Sequence, residues 1–538
     1  MIASAAGRRA LLALLALIGL ALVAWYSGWL DPILNRGRAA EDRYAEGPAV
    51  CTEPAGIPDG FDYPQAEGAI QVWVGNRDEK RARRHGWYLW AGLNSLAEGG
   101  PVWRGWCTST QAFAAEDEEA PAAGIHRMLS LGAFRRTDSL AAAADAEPIF
   151  LPGGPAYPVP EPVQAAFPQC YMPPHDGQPG QLRDGPTYQN NGDLMVAGVI
   201  YNRDAYKWIR NKDLYLGSTL APLVPPTDRT ARMPLMPPGS IVLKPMMWPV
   251  PATGYTALPV WDDVREDGGR YAGFEVQSKW PRAVALTARR RPEVTRADVS
   301  FLYNLPVGPN NYADAPVADL RDFYAFRPKL EGMDPCDRAI LDASAWWAYN
   351  RPFQQGDFLA VVAMHILTKE QPAWTFQSVW WHDRADRGPF AADRPDIPAK
   401  QAPGPWRHYL LTSTYGIPAA PGARSRAALE GPGAGPQWPV AFNPYIELAA
   451  DHPIQTNCMN CHHRAAWPGF QLPPPSWPTA SYLAANGPGA LDIFRQDDSI
   501  FNGLLGSDSM WAISDRVPVP AGYKPPAARG GAASPKPR

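Results

Sequence analysis

The hydrophobic pattern opens with twenty-one uncharged residues, Ala10 to Leu30, preceded by Arg8 and Arg9 and followed by Asp31. At about 1.5 Å per residue, a helix of that length just crosses the ~30 Å hydrocarbon core of a bilayer. Arginines held on the cytoplasmic side would leave the rest of the chain outside. Residues 1–34 therefore read as a single membrane anchor, with a cleaved signal peptide as the rival. Residues 35–85 begin polar and broken by Pro and Gly and read as a linker. Further on, apolar or alternating segments bounded by Pro or Gly recur at Leu194–Ile200, Gly239–Val250, Ala283–Ala288 and Val299–Asn304, the pattern of strands. Asp337–Asn350 carries apolar residues at helical spacing, with Asp334 and Pro335 as its start signal. Phe358–Leu367 and Trp374–Trp381 read as two buried strands, a helix being the alternative for the first. Asn443–Ala450 reads as a short helix, Ser499–Ser514 as a closing helix, and 517–538 as a disordered tail rich in Pro, Ala and Gly. The expected fold class is α+β: an N-terminal transmembrane helix, a β-rich central region over 86–440, and a small, mainly helical C-terminal unit over 441–516.

Composition supports a folded chain. Its 538 residues exceed what one core usually serves, and 46% hydrophobic content with 21 Trp supplies ample interior despite 61 Pro and 47 Gly. The net charge of −3 shows no basic excess that would recruit nucleic acid, and the short runs Arg81–Arg84 and Arg289–Arg291 read as solvated faces.

The candidate chemistry lies in the unit over 441–516. Cys458-Met459-Asn460-Cys461-His462 has the spacing at which two thiols add to the two vinyl groups of one porphyrin, while the following imidazole ligates the iron. A thiol pair for redox exchange and half of a zinc site are the competing readings; a second Cys-x-x-Cys is absent, and His462 follows at once. One covalent haem c is expected, anchored by Cys458 and Cys461, with His462 as proximal iron ligand. Such attachment takes place outside the bacterial cytoplasmic membrane, in agreement with the N-terminal segment. In that oxidising setting Cys51, Cys107, Cys170 and Cys336 form up to two disulfides, with three connectivities open.

The sixth iron position has two candidates. His365 lies inside the apolar segment Phe358–Leu367, where an imidazole needs a strong partner: iron, or a hydrogen bond in the core. Met510, forty-eight positions after His462, is the alternative, its competing role being to pack the closing helix. His463 must point away from an iron that His462 faces, and so reads as a hydrogen bonder near a propionate or as an exposed side chain. His382, beside Asp383, suits a hydrogen-bonded surface pair, and His452 lies ten positions before His462. The tryptophan clusters 87–106 and 374–381 read as core, or as a wall around a haem or an apolar substrate. Lys244 and Lys369 interrupt apolar strands and either reach water or hold an anionic group.

Several stretches together resemble a bacterial family of exported single-haem "cytochrome c family" proteins whose haem motif lies near the C-terminus. They are Trp87–Asn94 with Val102–Trp106, Tyr201–Tyr215, Gly239–Trp248, Met364–Lys369 with Trp374–Phe376, and Asn457–His462. The resemblance brings no established reaction with it. The expected function is a membrane-anchored periplasmic monohaem c-type cytochrome that passes electrons to a redox partner; a haem-dependent oxidoreductase acting on a small, possibly apolar substrate is the alternative.

Overall fold

A computed structural model describes residues 55–76, 78–97, 100–114, 157–174, 180–190, 194–261, 280–301, 311–372, 374–415, 443–446, 458, 462–463, 465–468 and 501–524. The elements that matter for the site are helix α1 (Glu79–Leu93), helix α2 (Arg203–Asn211), strand β1 (Ile241–Val250), helix α3 (Pro335–Tyr349), strands β2 (Phe358–Thr368), β3 (Thr375–Trp381) and β4 (Tyr409–Tyr415), and helix α4 (Trp511–Arg516).

β4, β3, β2 and β1 lie side by side in that order and continue through the short strands Val196–Gly198 and Tyr188–Asn190. Tyr324–Phe326 also pairs with β2, and Ile200–Tyr201 links β1 to Cys107–Thr108. Every pairing in this sheet is antiparallel. All eleven residues of β2 are buried, because the sheet is covered on both faces. That explains its unbroken apolar run, since a strand with one face in water would alternate.

Register assigns the side chains to the two faces. Val242, Leu367 and Phe376 stand opposite one another, as do Leu243 with Ile366. The first set packs with Tyr201, Trp208 and Ile209 of the α2 region and with Cys458, Trp467, Leu505 and Met510. The second belongs to the larger core beneath α1 and α3. There Trp90 of α1 meets Tyr409 of β4 edge-on at 5.0 Å. α3 starts where Asp334 accepts from the Cys336 and Asp337 amides, with Pro335 at its first turn, and it ends at Asn350 in a left-handed conformation. The Cys170–Cys336 disulfide ties the 161–172 segment to this first turn. Cys107 is also disulfide-bonded, and Cys51 lies outside the described residues.

A separate four-stranded sheet runs Thr256–Pro259, Ala283–Thr287, Asn311–Asp319, Arg296–Ser300, with its middle pair parallel. A third, of three short strands, pairs Ala466–Trp467 with Leu505–Gly506, and the latter with Ala231–Arg232.

The expected fold class is corrected by these observations. The described residues are β-rich with a few helices, and the described part of the C-terminal segment adds strands to the 231–232 region and packs its apolar side chains with those of the large sheet. The expected closing helix over 499–514 contains the strand Leu505–Gly506 and a turn, and the helix proper is α4. Residues 443–446 form a turn where a short helix was expected. No helix among the described residues is long and apolar enough to cross a membrane, and the segment Ala10–Leu30 lies outside them. Helices Glu67–Asn76 and α1 occupy 67–93, across the expected boundary at residue 85 between linker and scaffold. The strand expected at 299–304 is observed at 296–300.

Candidate functional site

His365 stands in the middle of β2, directly across from Lys244 on β1 and Ser378 on β3, on the same sheet face as Val242, Leu367 and Phe376. It is 5% exposed, and its Nδ1 lies 2.7 Å from Ser378 Oγ. Asn443 donates to the same hydroxyl oxygen at 2.8 Å and to the Val379 carbonyl at 2.9 Å, so the hydroxyl is held from both sides. Burial pushes the imidazole down to about 3, assisted by the Lys244 charge. The ring is therefore neutral at pH 7, the form a metal ligand requires.

His462 reaches the same place from the C-terminal segment. Its Nδ1 lies 2.8 Å from the Ser509 carbonyl oxygen. A carbonyl only accepts, so Nδ1 carries the hydrogen and the ring's lone pair sits on Nε2. Burial takes this imidazole to about 3 as well; the Ser509 carbonyl opposes the shift, and His365, Lys244 and His463 add to it.

The turn that offers the Ser509 carbonyl is built from uncommon conformations. Asp508 and Ser509 both have positive φ, 50° and 67°, a region that Asp tolerates better than most side chains. Ser507 takes its amide to Ala465, and Ala465 takes its own to His462, so turn and motif are knitted together. Beneath the turn Asp508 Oδ1 accepts from Lys369 Nζ at 2.7 Å and from Trp374 Nε1 at 3.2 Å, while Oδ2 accepts from the Met236 amide at 2.8 Å. Lys369 also donates to the Pro372 carbonyl and sits 4.8 Å over the Trp374 ring. Burial pushes the Asp508 carboxyl up and the Lys369 amine down, and each opposes the other's shift.

The structure thus brings together three of the expected residues. Cys458 is buried, with Sγ 3.8 Å from His365 Nδ1. The His365 and His462 rings lie 6.4 Å apart at 82°, and Phe376 packs 5.3 Å from His462. Met510 is buried in the same core, and its backbone caps the start of α4. Cys461 and His452 lie outside the described residues. His463 is half-buried. His382 does sit by Asp383, at 3.4 Å, and accepts from the Arg384 amide, but it is buried rather than on the surface. Lys369 reaches neither water nor an open anion site, because Asp508 holds it. Sequence reasoning missed Ser378, Asn443, Asp508 and Ser509. Of these, Asp508 had a signal, since a lysine in an apolar strand demands a buried counter-charge.

Among the described residues no group of three or more His, Cys, Asp or Glu is arranged to hold a bare metal ion. A haem iron asks only axial donors of the protein, the porphyrin supplying the rest. The residues present fit that demand: one imidazole has its tautomer fixed by a carbonyl, as metal-bound histidines usually do. A second neutral imidazole, that of His365, lies with its ring 6.4 Å from the His462 ring. No family model, curated protein or solved structure matches this chain.

Proposed function

We propose that the protein is a single-haem c-type cytochrome that transfers electrons outside the cytoplasm. The observation that carries this reading is the His462 Nδ1–H bond to the Ser509 carbonyl, within a Cys-x-x-Cys-His motif. It leaves Nε2 as the only nitrogen of that ring able to ligate. Cys458 and Cys461 would hold the porphyrin by thioethers, His462 would be the proximal ligand, and His365 the second axial ligand. Bound haem supplies a one-electron couple at iron, its potential set by the axial ligands and their hydrogen bonds.

This chain's own residues supply the rest. Ser378, backed by Asn443, holds the His365 ring. Val242, Leu367, Phe376 and Trp467 share one apolar core with Cys458 and give the site apolar surroundings. Burial keeps both imidazoles unprotonated. The Cys170–Cys336 disulfide supports an oxidising compartment.

The test is the absorption spectrum of the ferric protein with and without cyanide. The wild type should give a low-spin spectrum that cyanide leaves unchanged, and His365→Ala should shift the Soret band and bind cyanide. Ready cyanide binding by the wild type would favour the haem-dependent oxidoreductase.

A further inference from the structure

We propose that Lys369 and Asp508, both far from His462 in sequence, are positioning residues that set its ligand strength; this rests on the proposed haem site. The two form a nearly dry ion pair, with side chains 3% and 4% exposed and 2.7 Å between Nζ and Oδ1. Dry ion pairs are costly to form, and a pair of apolar residues often serves stability as well. The position of this one gives it a second role. Asp508 immediately precedes Ser509, and the contacts on the pair (the Met236 amide, Trp374 Nε1, the Pro372 carbonyl and the Trp374 ring face) fix the aspartate and lysine against β3 and the 231–236 segment. The backbone at 508–509 is left-handed at both residues. For non-glycine residues that arrangement persists only when its surroundings enforce it. Here the contacts of the Asp508 carboxylate act beside the Ser507–Ala465 backbone bond, and their joint product is a Ser509 carbonyl 2.8 Å from His462 Nδ1. A carbonyl accepting from the far nitrogen of a ligating imidazole raises the ring's basicity and favours the more highly charged metal state. Loosening the turn weakens that bond and raises the midpoint potential of the iron.

The test uses the full haem-loaded protein and compares Lys369→Met, Asp508→Asn and Trp374→Phe by redox titration, with thermal unfolding alongside. Lys369→Met removes a positive charge and Asp508→Asn a negative one. A through-space charge effect would therefore move their potentials in opposite directions. Loss of positioning moves both upward. Trp374→Phe removes one neutral donor to Asp508 while keeping an aromatic face, and should move the potential upward by less; it carries the test alone if the charge variants fail to fold. Potentials that stay at the wild-type value while the melting temperature falls, or that move in opposite directions, overturn the proposal. A wild type without covalent haem would instead overturn the reading on which it rests.

Discussion

His365 shows how much a single side chain discloses through its neighbours in the sequence. An imidazole among Val362, Ala363, Met364, Ile366 and Leu367 signals a buried polar group with a partner, and the chain places it beside Cys458 and His462. Its hydrogen-bond partner was not legible, because a serine thirteen residues on carries no signal until the β2–β3 register is known. Asn443 is hidden for the same reason. Asp515 on α4 is a residue whose chemistry only burial reveals. Burial, followed by the Asp184 charge, pushes its carboxyl up to about 8, against the opposing pull of Lys244 and Arg516. In the unfolded chain it ionises near 3.8. Between these values the folded state holds a proton that the unfolded state has lost, so stability falls as pH rises toward 8. The Asp184 and Asp337 carboxyls, raised to about 6, have given most of their contribution by pH 7. Urea unfolding should show a loss of about 1 kcal/mol from pH 7 to pH 8 in the wild type, and Asp515→Asn should flatten it. An equal slope in both proteins would contradict the buried, protonated carboxyl.

At the scale of elements, legibility followed the strength of the local signal. α3 was readable because its cap, its first-turn proline and its periodicity agree. β2 and β3 were readable as buried strands because β-branched and aromatic residues fill them. β4 escaped notice, since Thr412, Ser413 and Thr414 make a mixed segment whose burial comes wholly from its neighbours. The closing helix was expected to be too long because its apolar residues, Phe501, Leu504, Leu505 and Met510, serve a strand and a turn. The disulfide pairing was closed to sequence, as it depends on α3 meeting the 161–172 segment. That bridge lies with the larger core, while Cys458 belongs to the other. Replacing Cys170 and Cys336 by Ala should cost about 2–4 kcal/mol of unfolding free energy while leaving the visible absorption spectrum unaltered. A changed Soret band would show that the two cores are coupled more closely than their packing indicates.

For the molecule as a whole, two apolar cores meet at the large sheet. Helices α1 and α3 with many of the tryptophans belong to one core; Cys458, α2 and α4 belong to the other. A long chain with one Cys-x-x-Cys-His motif near its end thus has a central strand whose His365 lies beside Cys458 and His462. The pairing of Leu505–Gly506 with Ala231–Arg232 was not legible, because it spans more than half the chain and leaves no local trace. The central claim is that this site holds one haem through two thioethers. The most direct measurement is denaturing electrophoresis with haem staining, after expression in a bacterium that matures c-type cytochromes. The wild-type band should stain, and Cys458→Ala/Cys461→Ala should not. A colourless wild-type band, or one no stronger than that of the double variant, would contradict the account.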